Sequence, residues 1–262
     1  MVQFARPRDV VLHYDHAMGV AGNRPIVFAN SLGTDLRIWD DVRRKLDPGV
    51  PTLAMDKRGH GLSQTGPIDI ATLASDLADL MDHLGLEAAL ICGVSVGGMI
   101  SQALAAIRPD LVAGLMLCNT GARIGSEETW TPRITAVRAD GIEAIADAVV
   151  ARWFSPSWAA AHPVARAGWR QMLARTPAEG YARTCEAICV ADLSRTTSML
   201  HVPTLCIAGS ADEATPPAVV EGLAQMIAGS RFVCLEDVGH LPCIEAPGPL
   251  AALLTEFHGS LS

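Results

Sequence analysis

A serine with glycine two residues to either side stands at Gly93-Val94-Ser95-Val96-Gly97. It follows the apolar run 88–92 and precedes a helical pattern that begins near Val96 and runs towards Ile107. Between a strand and a helix, this spacing permits a sharp turn that holds the serine in a strained backbone conformation, with its hydroxyl above the sheet edge. Side chains in place of the glycines would collide with neighbouring backbone. A serine hydroxyl is a poor nucleophile until a base accepts its proton. The chemistry to look for is therefore acyl transfer, with a histidine and a carboxylate elsewhere in the chain.

Of the eight histidines, His240 has the right address: Asp237-Val238-Gly239-His240-Leu241 follows the last strand-like run on a loop before the closing helix. His13 and His16 belong to the N-terminal hairpin region, and His83 falls on the polar side of a helix. His60, in Asp56-Lys57-Arg58-Gly59-His60-Gly61, follows an early strand and reads as a residue that fixes a loop. The imidazole needs a carboxylate to hold its tautomer and stabilise the imidazolium. Asp212 follows the run 204–208 and would lie on the loop beside that of His240. Its rivals are Glu213, which a tight turn points the other way, and Asp237, too near His240 in sequence to reach its far nitrogen easily. The order Ser95, Asp212, His240 suits a parallel α/β architecture. Donors for a developing oxyanion are expected from the backbone N–H of Val96 and from that of Leu32, in Asn30-Ser31-Leu32-Gly33-Thr34 after the run 25–29.

These residues can meet only if the elements between them form a sheet with a shared edge. Strand-like runs at 10–14, 25–29, 52–55, 88–92, 112–118, 204–208 and 231–235 alternate with helical patterns. Leu73, Leu77, Leu80, Met81 and Leu84 give one helix a single apolar face, and Gly85 is its stop. Such alternation predicts a mostly parallel central sheet with helices on both faces. The rhythm breaks between about residues 121 and 200, where the pattern is helical throughout. The expected organisation is a core of residues 1–120 and 201–262, with 121–200 inserted as a helical lid over the sheet edge where parallel sheets hold ligands.

Composition narrows the class. The 262 residues are 50% apolar and 18% charged, enough for one large domain with a sizeable core. No apolar run approaches the roughly 20 residues of a membrane span, and the first residues show no export signal. A net charge of −8 argues against nucleic acid or an anionic membrane as partner. The seven cysteines, with no C-x-x-C pair, read as small buried residues of a cytoplasmic protein, not as a disulfide framework or metal site. The oligomeric state is left open.

Fold and triad together resemble the α/β-hydrolase superfamily over essentially the whole chain. Within it the sequence is similar to the 3-oxoadipate enol-lactonases of aromatic catabolism. The shared stretches are Asn30-Ser31-Leu32-Gly33-Thr34, Asp56-Lys57-Arg58-Gly59-His60-Gly61, Gly93-Val94-Ser95-Val96-Gly97-Gly98-Met99, Leu117-Cys118-Asn119-Thr120, Ala122-Arg123-Ile124-Gly125, Arg152-Trp153-Phe154 and Glu179-Gly180-Tyr181. The sequence departs from the pattern at Lys57, where a neutral residue is expected, at Val96 in place of Met, and at Leu241-Pro242-Cys243 in place of Ser-Asn. The resemblance implies a serine hydrolase, without cofactor or metal, that opens 3-oxoadipate enol-lactone. Carboxylesterase, C–C hydrolase and perhydrolase chemistries run on the same triad, and a non-catalytic binding protein is the remote alternative.

The implied lactone carries a free carboxylate, which an acidic protein must meet with local positive charge. Residues 121–198 hold nine arginines against eight acidic residues, whereas the remainder holds 11 basic and 20 acidic residues. Arginine grips a carboxylate with two parallel hydrogen bonds. In Trp130-Thr131-Pro132-Arg133-Ile134, Pro132 reads as a helix start, and an arginine in a first turn is electrostatically out of place. Arg133 is accordingly expected to bind the substrate carboxylate, with Trp130 beside it and Arg138 or Arg152 as substitutes.

Overall fold

The computed structural model describes residues 2–261. Its strands are β1 (Gln3–Ala5), β2 (Leu12–Ala17), β3 (Ile26–Ala29), β4 (Thr52–Met55), β5 (Ala89–Val94), β6 (Val112–Cys118), β7 (Thr204–Gly209) and β8 (Arg231–Leu235). They form one sheet in the order β1-β2-β4-β3-β5-β6-β7-β8, parallel from β4 through β8 and antiparallel at β1 and β2. Every residue of β3, β4, β5 and β7 is buried, as strands covered on both faces require. β5 starts at Ala89, one residue later than the apolar run suggests, because Ala88 adopts φ 46° and cannot extend the strand. β8 is the sheet edge, so Cys234 is exposed there, contrary to the expectation that the cysteines are buried; Cys189 is half-buried and the other five are buried.

Helices α1 (Asp40–Arg43), α2 (Ile70–Leu84) and α3 (Val96–Ile107) lie among the first strands. α2 begins where the Asp69 carboxylate accepts the Thr72 N–H at 2.6 Å and ends at Gly85, whose φ of 66° reverses the chain. Its Leu73, Leu77, Leu80 and Met81 are fully buried, and burial of each such side chain contributes about 1.5–3 kcal/mol. Asp76, on the same helix, is also buried, and its carboxylate takes two hydrogen bonds from Arg58, at 2.6 and 2.5 Å. This pair fixes the loop after β4 against α2.

Between β6 and β7 the chain forms α4 (Glu127–Asp140), α5 (Ala146–Ala151), α6 (Pro156–Ala161), α7 (Pro163–Ala174), α8 (Ala178–Val190) and α9 (Ser194–Thr197), with no strand. The neck of this segment closes where the Leu193 N–H donates to the Ala122 carbonyl at 2.9 Å. α4 packs along α8. The start of α8 touches the core backbone to backbone: a Cβ on Gly180 would lie 2.2 Å from the Gly59 oxygen. The chain then completes α10 (Pro217–Met226), α11 (Pro242–Glu245) and α12 (Pro247–Ser260). Among the described residues no helix is long and apolar enough to cross a membrane.

Candidate active site

Ser95 occupies the residue between β5 and α3 with φ 59° and ψ −123°, a conformation costly for any residue but glycine. The surroundings over-determine it. Its N–H donates to the Cys118 carbonyl at 3.0 Å, and its own carbonyl accepts the Thr120 hydroxyl at 2.6 Å. A Cβ on Gly93 would fall 2.4 Å from the Gly97 oxygen, and one on Gly97 would fall 2.0 Å from the Ala29 oxygen. Both glycines are therefore steric requirements of the turn, as their spacing suggests.

The structure brings Asp212 and His240 together. Nδ1 of His240 lies 2.8 Å from Oδ2 of Asp212, which also accepts the Thr215 hydroxyl at 2.7 Å. The other oxygen accepts the N–H groups of Ala214 and Thr215 at 2.7 and 3.1 Å. Burial alone would raise this carboxyl, but the adjacent imidazole and these hydrogen bonds outweigh it and hold Asp212 below its ordinary value. A carboxylate that takes the proton on Nδ1 leaves Nε2 of His240 as the acceptor. The rivals lie elsewhere. Glu213 is exposed, and Asp237 is exposed with its carboxylate accepting the Ser157 hydroxyl at 2.7 Å.

Asn119, at the end of β6, is a residue that sequence reasoning did not single out for the site. Its amide donates to the Gly239 carbonyl at 2.8 Å and its oxygen accepts the Gly209 N–H at 2.8 Å, joining the strand ends that launch His240 and Asp212. His60 fixes a loop as expected: its Nε2 accepts the Gly33 N–H at 3.0 Å, and burial keeps the ring neutral, well below its usual range. The Leu32 N–H finds no partner in the protein among the described residues.

Ser95, His240, Ser31 and Leu32 line one cavity of about 200 Å³. The helical segment lines it too: Ile124, Val149, Trp153 and the Trp130 ring supply apolar surface, and Arg133, Arg152 and Tyr181 supply polar groups. The Arg133 guanidinium lies 5.0 Å from the centre of the Trp130 ring, whose N–H donates to the Ile124 carbonyl at 2.8 Å. The helix start expected at Pro132 lies elsewhere, however. α4 begins at Glu127, capped reciprocally by Ser126 and Thr129, so Pro132 lies inside the helix and Arg133 in its second turn. Arg138 does not line the cavity; it is engaged by Glu179 and Glu186 on the surface. Arg152 does line it and donates to the Glu213 carbonyl at 2.8 Å. Tyr181 is fully buried, and its hydroxyl has no hydrogen-bond partner among the described residues. Burial pushes its phenol above the ordinary range, so it stays protonated and can donate a hydrogen bond.

A family model described as the alpha/beta hydrolase family matches residues 26–253. The chain belongs to this family. Two proteins of Acinetobacter baylyi are similar along nearly their whole length. 3-Oxoadipate enol-lactonase 2 is 35% identical over 242 residues, covering 92% of this chain and 90% of that protein. 3-Oxoadipate enol-lactonase 1 is 33% identical over 237 residues, covering 90% and 89%. The crystal structure of the enol-lactonase from Burkholderia xenovorans LB400 superposes with a TM-score of 0.94 at 40% identity, covering 98% of this chain and 100% of that one. A thermophilic esterase from Thermogutta terrifontis, solved with malate bound, superposes with a TM-score of 0.91 at 30% identity, covering 100% and 99%. In this alpha/beta hydrolase the elbow, the acid–histidine pair and the cavity all sit at the C-terminal ends of the parallel strands, where the fold places ligands.

Proposed function

We propose that the chain is a serine hydrolase that opens 3-oxoadipate enol-lactone to 3-oxoadipate, as a step in the catabolism of aromatic compounds. The observation that carries this reading is the cavity. Ser95 and His240 line it together with Arg133 over Trp130, so that a reacting carbonyl and a carboxylate can be bound at once. The similarity to enol-lactonases over about nine-tenths of the chain supports the same substrate.

In the mechanism, Nε2 of His240 takes the Ser95 proton as Oγ attacks the lactone carbonyl, while Asp212 stabilises the imidazolium. The N–H groups of Leu32 and Val96 receive the oxyanion. When the intermediate collapses, the bond to the ring oxygen breaks and that oxygen takes the proton from His240. It leaves as an enol, a better leaving group than an alkoxide, and tautomerises to the ketone. Water deprotonated by His240 then attacks the acyl-enzyme, and Ser95 recovers its proton as the acid departs. The helical segment 121–200 acts as a lid that supplies the carboxylate site.

The test is a panel of substrates of matched size: the enol-lactone, neutral lactones, and aryl and alkyl esters with and without a carboxylate. The reading expects the enol-lactone to have the highest kcat/KM. A preference for a neutral ester would make the protein a carboxylesterase. Failure of a fluorophosphonate to label Ser95 would remove the serine mechanism altogether.

A further inference from the structure

Only two of the 20 basic residues are lysines, Lys45 on the surface and Lys57 in the core. Lys57 follows β4 and is 1% exposed. Its ammonium donates to the Ser31 carbonyl at 2.5 Å and makes a longer contact of 3.3 Å with the Thr34 carbonyl. No carboxylate lies within ion-pair distance of it among the described residues. Asp56 is held by His13 and by the N–H groups of Leu36 and Leu62, and Asp35 is paired with Arg37. A buried cation without a paired anion is costly, and the loop does not need it for closure. The Ser31 carbonyl also accepts the Thr34 hydroxyl at 2.9 Å, and the Thr34 carbonyl accepts the Asn30 amide at 2.8 Å.

The carbonyl of Ser31 and the N–H of Leu32 belong to one peptide group. Donation to that oxygen increases the double-bond character of its C–N bond and makes its N–H a stronger donor. On the oxyanion assignment proposed above, on which this inference rests, we propose that Lys57 is a positioning residue that polarises the Ser31–Leu32 peptide and sets a positive charge behind the oxyanion hole. The planar fork of an arginine would not reproduce this compact point charge. Lys57 acts only when protonated. Burial lowers it to about 7, against the smaller upward pull of Asp56 and Asp35. The other ionisable groups around it are His60, which is neutral, and His13 and Arg37, which face the two aspartates. Deprotonation as pH rises past about 7 therefore weakens the oxyanion site while leaving substrate contacts in place.

The experiment compares wild type, Lys57→Met and, as a surface control, Lys45→Met on a neutral aryl acetate from pH 6 to 9. Binding of an aryl trifluoromethyl ketone, which forms an oxyanion on Ser95, is measured alongside. For Lys57→Met at pH 6 we expect kcat to fall about 10- to 100-fold with KM within twofold, below the full loss of an oxyanion donor. The ketone should bind about tenfold more weakly, and the alkaline decline in wild-type kcat/KM should be absent. Lys45→Met should match wild type. A Lys57→Met kcat within twofold of wild type, with an unchanged pH profile, overturns the role of Lys57 but not the serine mechanism. Inactivity of wild type towards both the ester and a fluorophosphonate overturns both. If Lys57→Met does not fold, the smaller change Lys57→Gln takes its place: kcat and ketone binding both within twofold of wild type overturn the proposal.

Discussion

The side-chain amide of Asn119 donates to the Gly239 carbonyl at 2.8 Å, tying the end of β6 to the residue before His240. Because its oxygen also holds Gly209, one buried side chain keeps the acid loop and the histidine loop in register. Asn119→Asp keeps the shape and the left-handed backbone (φ 44°) but sets an oxygen against the Gly239 carbonyl. We expect a loss of about 1–3 kcal/mol in stability, seen as a Tm lower by about 2–4 °C for each kcal/mol. kcat should also fall about tenfold, as the Asp212–His240 distance is no longer fixed. A calorimetric scan with ester kinetics checks both.

Ser95→Ala and His240→Ala should each lower kcat by about 10⁴–10⁶, and the double variant should be no worse than either, because the two act as one unit. Asp212→Asn should cost about 10³–10⁴. Steady-state kinetics on these four variants and on Asp237→Asn decide the matter. A tenth of wild-type kcat surviving in Ser95→Ala is incompatible with the mechanism, and a full effect from Asp237→Asn alone would move the carboxylate role.

Arg133→Ala should lower kcat/KM for the carboxylated lactone by about 2–4 kcal/mol, the cost of a desolvated charge pair losing a partner. A neutral ester should react nearly as before. Equal losses on both would make Arg133 a support of α4, and no loss on either would turn attention to Arg152.

Tyr181→Phe removes a buried hydroxyl that no group among the described residues satisfies. Deleting an unpaired polar atom should leave the Tm unchanged or slightly raised. If the hydroxyl meets the substrate, KM for the enol-lactone should rise several-fold; an unchanged KM would assign Tyr181 to packing alone.

Lys57 also links stability to pH. Its ammonium has an ordinary value of 10.5 and is lowered to about 7 in the fold, so between those limits the unfolded chain binds more protons. The contribution of this group to stability therefore rises with pH from about 7 to 10.5 and is at its least favourable below 7. Urea unfolding should find Lys57→Met gaining most over wild type at pH 6, the difference shrinking towards pH 10. A difference that is flat with pH would mean that Lys57 is not the titrating group.

The inner strands could be read from the chain because they are buried on both faces and so form unbroken apolar runs. β4, β6 and β8 match their predicted limits. β1 did not announce itself: three edge residues, Gln3–Ala5, hold their place by pairing with β2, not by any local pattern. Ser95 and its glycines have a local signature, as the turn is made by adjacent residues. Asn119 and Tyr181 have none, since their partners or vacant neighbours arrive from other elements. The misplaced start of α4 has a chemical cause. Thr129, not the usual Glu or Gln, closes the cap with Ser126, so the proline six residues on looked like the better signal.

The contact between Gly59 and Gly180 bears on how this protein can be diversified. Neither position accepts a β-carbon, so the start of α8 meets the core backbone to backbone at this point, before Tyr181, Cys185 and Ile188 bury their side chains. Trp130, Arg133, Val149 and Arg152, which face the cavity from α4, α5 and the turn after α5, have no part in that seat. Of the four, Arg133 and Arg152 lie outside the buried core, so a combinatorial library over those two can search for new acyl donors while inheriting an intact scaffold. One that also randomises 59 or 180 would spend most of its members on chains that do not assemble.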